Sequence, residues 1–499
     1  GTGERAMAAV LLLAAAIGFL LYLLARKKRQ ERAAQRGEGG LVEPPWTAKW
    51  YLPLLGETLD LVKDPKEFLA ERQRKFGPVF NSSIIGKKHV TCVCGGDAVR
   101  TFFKQDSRMQ FWFPGTIGLI FGQDNPFFSV DLHSPMRGKL SLPMLSSAAI
   151  DAFMPVLKAE VDRALDSWEA AVKAGGPLPV VPTIKSLAWR ISLKYVLGAA
   201  CTPDEERLQK WHELFQDVNA GTRAALPWPL PGTVLARSLK ARDLLIAELV
   251  EMIEKTRQGL SDYATGGEAE GADIDTGHHG LTAPLLFDSS LTLTNKELAN
   301  TILSLLFAAN DTTSDTVCAG LCRLYKSNEE LADVRQTMKE ACLRVEWEKF
   351  GHKDLETGTG DWAYIEGCIR EVVRLYGPST FTFRLCKDPI SYKGMYMPPN
   401  STYLIALVTV LRDPAIFPDP FKFDPHRYDK ADGSGLESLK ALVSFGGGKH
   451  SCLGKRFAMT LMRTLFIRIF QRFPDWDVLD VEHAIRIDAE QNTGNVVLR

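Results

Sequence analysis

The chain has 499 residues, 45% hydrophobic and 24% charged, so it can bury a large core; its length alone suggests about three domains. Lys plus Arg and Asp plus Glu number 60 each, and this zero net charge excludes a global field that would attract nucleic acid or acidic partners. The nine irregularly spaced cysteines exclude a regular disulfide framework and favour free thiols in a reducing compartment over a structural zinc site.

Residues 6–25, AMAAVLLLAAAIGFLLYLLA, are apolar throughout. Such a run of roughly 20 residues can cross a bilayer as a helix, and it lacks the polar face that would favour the alternative, a buried core helix. The basic residues 26–29 follow, and the positive-inside rule predicts that everything after them stays in the cytosol. We therefore expect a transmembrane anchor with its basic stop at 1–29, then a polar and proline-rich linker at 30–56.

The next elements are predicted from periodicity and from turn residues. Asp64 and Pro65 predict the start of a helix that Gly77 ends, and the alternating residues 79–93 predict a hairpin. The apolar stretch 111–128 has neither period, which predicts a loop rich in aromatic residues. Amphipathic helices are expected within 157–197 and 203–256, and residues 257–280 are expected to form an acidic, glycine-rich surface loop.

Two further segments connect or cover these elements. The proline-rich residues 226–231 interrupt the second helical region. The tip of this loop either touches the bilayer or packs against the globule. Residues 379–384, STFTFR, precede a second predicted hairpin over 392–405, with its turn at Pro399 and Asn400.

A long apolar helix is predicted from the capping box of Thr294 and Glu297 to residue 325. Its centre, 308–313, reads AANDTT. Consecutive polar residues inside an apolar helix are costly unless they are paired, so a satisfied polar pair is one interpretation. The other is a functional opening, because a β-branched hydroxyl can bond the carbonyl one turn back and loosen the helix locally.

The segment 445–454, FGGGKHSCLG, runs into a predicted helix over 455–473. The position of Cys452 just before a helix N-terminus favours the thiolate, which binds iron. The flanking glycines leave room for a flat macrocycle, and His450 could donate a hydrogen bond to a carboxylate on it. Alternatively, Cys452 is a small buried hydrophobe, as most free cysteines are.

Two charged motifs precede this loop. Glu371 and Arg374 lie three apart on a predicted helix over 362–375, where such pairs are common and alone mean little. Residues 423–428, FDPHRY, follow. Taken in order, the polar helix centre, the Glu–Arg pair, the FDPHRY segment and the Cys loop resemble the corresponding motifs of the cytochrome P450 superfamily. The resemblance covers the chain from about residue 41 to its end.

This resemblance implies a mainly α fold with a small β-rich lobe, in which 57–499 form a single haem-thiolate catalytic domain beside the N-terminal transmembrane helix. It implies haem b as the cofactor, with Cys452 as the axial iron ligand. Asp311 and Thr312 would pass protons to iron-bound dioxygen, although Ala309 stands where the family usually has glycine. Glu371, Arg374 and Arg427 would form a buried network.

The residues implied to contact the cofactor are Cys452, His450, Phe445, Arg384, His133 and Arg137. The substrate-pocket candidates, all uncharged, are Phe111, Phe113, Ile117, Ile120, Leu305, Ala308, Phe381 and Phe383. The residues expected to receive a reductase, for which a solvated face is the alternative explanation, are Lys440, Lys449, Lys455 and Arg456.

The local sequence is most similar to the branch that holds sterol demethylases, retinoic-acid hydroxylases and triterpenoid hydroxylases. Asp311 replaces the histidine usual in sterol demethylases, which argues against that activity. We expect a monooxygenase of the endoplasmic reticulum membrane, single-pass with its catalytic domain in the cytosol. It would hydroxylate a sterol or related isoprenoid with O2 and electrons from NADPH by way of a partner reductase. The alternatives are a fatty-acid or xenobiotic monooxygenase, a haem-thiolate isomerase, and a non-catalytic haem or lipid binder.

Overall fold

A computed structural model of the chain describes residues 42–47, 56–85, 87–122, 125, 146–174, 178–198, 202–224, 228–264, 280, 293–325, 329–351, 360–428, 443–476 and 497–498. The predicted anchor with its basic stop and most of the linker lie outside these residues, as do His133, Arg137 and Lys440. Within the described ranges, no helix combines the length and the apolar character needed to span a bilayer.

Helices make up most of the described chain. In order they are α1 (Thr58–Lys63), α2 (Pro65–Phe76), α3 (Gly96–Lys104), α4 (Gly115–Phe121), α5 (Ser147–Lys173), α6 (Val180–Leu197), α7 (Glu205–Thr222), α8 (Val234–Ala264), α9 (Asn295–Tyr325), α10 (Ala332–Leu343), α11 (Gly360–Tyr376), α12 (Leu407–Leu411) and α13 (Lys455–Arg472). The strands are β1 (Val79–Ile84), β2 (Lys87–Val93), β3 (Met109–Phe111), β4 (Leu178–Pro179), β5 (Thr382–Cys386), β6 (Ile390–Tyr392), β7 (Met395–Met397), β8 (Ser401–Ile405) and β9 (Val497–Leu498).

Two predicted helix starts, at Asp64 and at Thr294, are confirmed in detail. The carboxylate of Asp64 accepts the backbone N–H groups of Lys66 and Glu67 at the start of α2, at 3.0 and 2.9 Å. At the start of α9, the Thr294 N–H donates to the Glu297 carboxylate at 2.8 Å, and the Glu297 N–H donates to the Thr294 hydroxyl at 3.2 Å. These bonds satisfy backbone donors that would otherwise be unpaired in the first turn.

Three predictions of local structure are wrong. Within the predicted aromatic loop, residues after Pro114 form α4, which ends before Gly122 at a φ of 86°. Its buried residues include Ile120 and Phe121, so tertiary packing stabilises a short helix that glycines disfavour. The helix α8 continues to Ala264, into the predicted surface loop.

The third correction concerns the hairpin expected over 392–405. The structure pairs β6 with β7 around Lys393 and Gly394, whose φ angles of 45° and 80° suit a tight hairpin turn. The strand after Asn400, β8, instead pairs with β2 and β5. The turn predicted at Pro399 and Asn400 does form, with Asn400 at a φ of 60°, but the strand that follows it joins the five-stranded sheet and does not pair with β7.

By its internal contacts the chain divides into two compact units. The first, up to Trp112 together with Phe381–Thr409, contains a five-stranded sheet of order β1-β2-β8-β5-β3. The β2–β8 pair is parallel and the other pairs are antiparallel. This sheet is the small β region that was predicted. The single catalytic domain over 57–499 stays a prediction.

The second unit, Phe113–Thr380 and Val410–Arg499, is mainly helical, as predicted. Its central helix is α9, which packs against α6, α8, α11 and α13. At Gly320 of α9 an added Cβ would lie 2.6 Å from the Val372 side chain of α11 and 2.7 Å from the Phe466 ring of α13. The three helices therefore meet closely at this residue.

Candidate active site

The loop before α13 presents one thiol at the surface. Among the cysteines that the structure describes, Cys452 alone is exposed, and the other seven are buried. The Cys452 N–H donates to the Phe445 carbonyl at 2.9 Å and closes the loop. Gly446 and Gly448 have φ angles of 74° and 70°, which residues with a Cβ rarely adopt. The loop thus holds an accessible sulfur next to backbone that lacks side chains.

Opposing effects act on the thiol of Cys452. Desolvation by the surrounding loop raises its pKa, while the Gly454 N–H and the positive charge of Lys455 act in the opposite direction. The N–H groups at the start of α13 thus favour the thiolate, as expected, but desolvation outweighs them in the protein alone and the net direction of the pKa is upward. Binding to a metal ion would displace the proton, because the deprotonated sulfur is the ligand.

The other predicted groups on the loop have distinct surroundings. His450 is buried within the turn Gly448–His450, and Phe445 is half-buried, with the Lys455 ammonium 5.7 Å from its ring centre. Lys449 is exposed, whereas the guanidinium of Arg456 donates to the Ser147 hydroxyl of α5 at 3.0 Å. Their predicted contacts with a cofactor or a reductase stay predictions.

The centre of α9 has an open patch within a buried helix. Leu303 to Leu306 and Thr313 to Cys318 are buried, while Ala308 and Thr312, one turn apart, are exposed. The Thr312 hydroxyl donates to the Ala308 carbonyl at 2.7 Å. A hydroxyl bonded in this way keeps its lone pairs available to accept a hydrogen bond from water.

Asp311 faces a different side of α9 and is held by polar groups. Its Oδ2 accepts a hydrogen bond from Asn219 Nδ2 of α7 at 2.9 Å, and its Oδ1 accepts one from Asn310 Nδ2 at 3.0 Å. The guanidinium of Arg223, just after α7, lies 3.6 Å from Oδ2. Asp311 and Thr312 are thus neighbours in sequence whose side chains face different sides of α9, one with an anchored carboxylate and the other with an exposed hydroxyl.

The structure brings Glu371, Arg374 and Arg427 together. The two carboxylate oxygens of Glu371 accept hydrogen bonds from Arg374 Nε and Nη2 at 2.6 and 2.7 Å, and Arg427 Nε donates to Oε2 at 3.3 Å. Glu371 and Arg374 are completely buried. Their pairing follows from their spacing on α11, since residues three apart share one helix face.

Sequence reasoning missed further members of this network. The Tyr428 hydroxyl donates to Glu371 Oε1 at 2.9 Å, and the Asp424 N–H donates to Oε2 at 3.0 Å. Arg374 also donates to three backbone carbonyls, those of Leu411, Pro420 and Lys422. The aromatic residue that ends the FDPHRY segment was the available signal. The carbonyl acceptors carry no sequence signal, because every residue has one.

Arg384, predicted to contact a propionate, is buried within the sheet of the first unit. Its Nε donates to the Asp106 carboxylate at 2.8 Å, and its Nη1 donates to the Thr382 hydroxyl at 2.7 Å and to the Phe383 carbonyl at 2.9 Å. The guanidinium also lies 4.6 Å from the ring centre of Phe111. The partner of Arg384 in this structure is therefore Asp106, which sequence reasoning missed.

The predicted substrate-pocket residues fall in both units. In the first, Phe383 contacts Trp112 and Phe381 edge to face, with ring centres 5.1 and 5.3 Å apart. In the second, Ile120 and Leu305 are buried in the helical core, whereas Phe113 and Ile117 are half-buried. Trp112 was not among the predicted residues, although its place in the aromatic stretch was the available signal.

Within the second unit, the residues fit an iron-bearing macrocycle such as haem. The observations are the one exposed thiol among the described cysteines, the glycines beside it, and the open patch on a largely buried helix. Groups of three or more His, Cys, Asp or Glu that could hold a bare metal ion do not occur among the described residues. A lone thiolate is a sufficient protein ligand for haem iron, whereas structural zinc takes four ligands.

Comparisons with known proteins agree with this interpretation. A beta-amyrin 28-monooxygenase of Saponaria officinalis is 26% identical over 89% of this chain and 88% of the relative. An abscisic acid 8'-hydroxylase of Oryza sativa is 27% identical over 91% of this chain and 90% of the relative. The solved structure of a retinoic acid-bound cyanobacterial CYP120A1 superposes with a TM-score of 0.75, at 25% identity, over 92% of this chain and 98% of that one.

These similarities extend along nearly the whole chain. The sequence model of one family, described as Cytochrome P450, matches residues 44–497. With this match over most of its length, the chain belongs to the cytochrome P450 family, the haem-iron monooxygenases that receive their electrons from a redox partner.

Proposed function

We propose that this chain hydroxylates a sterol or a related isoprenoid lipid with O2, using electrons that a membrane-bound reductase passes on from NADPH. The observation that carries the reaction class is the adjacent pair Asp311 and Thr312, of which Thr312 lies in the open patch of α9 and Asp311 is anchored by Asn219. A haem-thiolate isomerase or a passive haem or lipid binder has no need of a carboxylate and a hydroxyl that hold protons at this position.

The substrate class is supported by the named relatives and by the candidate pocket. Beta-amyrin, abscisic acid and retinoic acid, the compounds named for those three proteins, are all isoprenoids. The candidate pocket residues are uncharged, and apolar surface removed from water contributes roughly 25 cal/mol per Å² to binding. An extended hydrocarbon skeleton with few polar groups suits such a lining.

Each group on this chain has a distinct role in the reaction. Haem, when bound, supplies the oxygen chemistry that converts a C–H bond into a hydroxyl. Cys452 would hold its iron through the sulfur and lose its proton in doing so. The hydroxyl of Thr312 keeps its hydrogen bond to Ala308 and accepts another from water at its exposed side. The Asp311 carboxylate, next to it in sequence, can take up a proton from solvent at one oxygen and release it.

The proposal is tested first by binding and then by turnover. Haem-loaded protein is titrated with a sterol, a retinoid, a triterpenoid and a fatty acid, and the shift of the haem absorption band is recorded. We expect a saturable shift with at least one isoprenoid. The same compound, with reductase, NADPH and O2, should yield a product one oxygen atom heavier. A shift with the fatty acid alone would contradict the substrate class, and product formed without O2 or NADPH would indicate an isomerase.

We propose further that the protein is held in the endoplasmic reticulum membrane by residues 6–25, with the catalytic domain in the cytosol. The support is the uninterrupted apolar run and the basic residues 26–29 behind it. In microsomes, protease added from outside should degrade the domain after residue 29. Protection of that domain until detergent is added would contradict the orientation, and its release by carbonate washing would contradict the anchor.

A further inference from the structure

The end of α7 contacts the carboxylate of Asp311 through two residues one turn apart. Asn219 donates its Nδ2 to Asp311 Oδ2 at 2.9 Å, and the Arg223 guanidinium lies 3.6 Å from the same oxygen. Asn310 Nδ2 holds the other oxygen at 3.0 Å. Both oxygens of the Asp311 carboxylate are thus hydrogen-bonded, one by a residue of its own helix and the other by a residue of α7.

Asn219 is an unusual residue for its position. It is only 4% exposed, and a buried amide destabilises the fold unless its polar atoms are bonded. A carboxylate can bond only the amide nitrogen, which fixes the orientation of this side chain. Its Oδ1 is buried and has no hydrogen-bond donor in the described part of the protein. The contact with Asp311 is therefore the interaction that explains a polar side chain here.

The charged groups around Asp311 form two neighbouring pairs, Asp311 with Arg223 and Asp315 with Lys185. Asp315, one turn further along α9, lies 3.0 Å from the ammonium of Lys185 on α6. Burial lowers the pKa of Lys185, but Asp315 and Asp311 outweigh this effect and hold it above its usual value. Burial lowers the pKa of His212 on α7, so this nearby imidazole is neutral at pH 7. Arg223 is thus the cation nearest to Asp311, and its side chain is 61% exposed.

We infer that Asn219 is a positioning residue, which fixes the orientation of the Asp311 carboxylate, next to Thr312 in sequence, and keeps it from closing further on Arg223, whose guanidinium lies 3.6 Å away. This inference rests on the proposed function, in which Asp311 handles protons. Each NADPH supplies two electrons, which with O2 and two protons give either one hydroxylated product and one water, or one hydrogen peroxide. A misplaced carboxylate should shift the outcome toward hydrogen peroxide.

The test is a double-mutant cycle between Asn219→Ala and Asp311→Asn in the haem-loaded full chain. Retinoic acid is the probe, and product and hydrogen peroxide are measured per NADPH consumed. We expect Asn219→Ala to lower product per NADPH roughly tenfold and to have no further effect when Asp311→Asn is present. Gln209→Ala, an exposed amide on the same helix bonded to Glu213, should leave the ratio unchanged. Equal losses in both backgrounds would overturn the inference.

A second measurement separates positioning from general stability. Asn219→Asp places two carboxylates side by side and should lower the midpoint of thermal unfolding at pH 8, with recovery at pH 5 as the pair shares a proton. Asn219→Asp combined with Asp311→Asn exchanges the hydrogen-bond acceptor and donor, so the unfolding midpoint should return to the wild-type value. Turnover should not recover. An unfolding midpoint that fails to return would contradict the contact. If the unfolding midpoints follow this pattern but the wild-type protein consumes no NADPH, the pairing of Asn219 with Asp311 is established and the proposed function is refuted.

Discussion

At the scale of single residues, Cys452 and Glu371 show what a sequence can reveal. Both belong to motifs whose residue types are dictated by chemistry, so both could be singled out: the pairing of Glu371 with Arg374 is confirmed, while an iron-ligand role for Cys452 stays a prediction. Asn219 and Asp106 could not, because an amide or a carboxylate gains its role only from a partner that is 92 or 278 residues away along the chain. The raised pKa of Cys452 likewise depends on how the folded loop excludes water.

The Glu371 network allows a graded test. Glu371→Ala would leave Arg374 with an unpaired buried charge and should lower the free energy of unfolding by roughly 3–5 kcal/mol. Tyr428→Phe removes one hydrogen bond of several to the same carboxylate and should cost about 1 kcal/mol. Denaturant unfolding measures both. Equal losses of unfolding free energy for the two variants would show that the ion pair contributes no more to stability than the single hydrogen bond of Tyr428.

The pH dependence of stability can be tested at Glu248. The pKa of Glu248 is held at about 2, against an ordinary value of 4.5, chiefly by its hydrogen bond from the Lys210 ammonium, and Trp211 and Arg207 lower it further. A lowered pKa stabilises the fold above the ordinary value, and this contribution is lost as the pH falls from 4.5 toward 2. Because solvent screens these groups, Glu248→Gln should cost only about 1 kcal/mol at pH 7. If the difference in unfolding free energy between Glu248→Gln and the wild type stayed constant down to pH 3, the lowered pKa of Glu248 would not be the cause.

At the scale of elements, long helices with caps could be predicted and short elements could not. The helix α9 was predicted within a residue of its start because its capping box is local. The short helix α4 and the pairing of β8 were not predicted, because both depend on packing against distant segments. The buried network expected from Glu371, Arg374 and Arg427 already joined α11 to the segment Pro425–Tyr428, but the close packing of Gly367 against Pro425 was missed.

That approach can be tested at Gly367. An added Cβ would lie 2.2 Å from the Pro425 carbonyl oxygen, and backbone cannot yield as a side chain can. Gly367→Ala should therefore destabilise the protein by about 1–3 kcal/mol, although alanine favours helix. Gly115→Ala is the matched control, since nothing lies within 4 Å of its added Cβ. Thermal unfolding should separate the two variants, and a Gly367→Ala protein as stable as the control would show that α11 is free to move away.

At the scale of the whole molecule, family membership follows from motifs spread along the chain and from a match over residues 44–497. The length suggested about three domains, whereas the contacts within the chain divide it into two compact units. The substrate could not be predicted residue by residue, because the contacts that would select it depend on the fold and have no local sequence signal. Its isoprenoid class is proposed from the named relatives together with the uncharged candidate lining.

The most direct test of the account is the carbon monoxide difference spectrum of the reduced, haem-loaded protein. We expect the wild type and Cys386→Ser, a control whose hydroxyl can still donate to the Arg108 carbonyl, to give the absorption band typical of thiolate-ligated haem. Cys452→Ser should lose that band, together with NADPH-dependent turnover. If Cys452→Ser kept the thiolate-type band, Cys452 would not be the iron ligand and the central claim would be wrong.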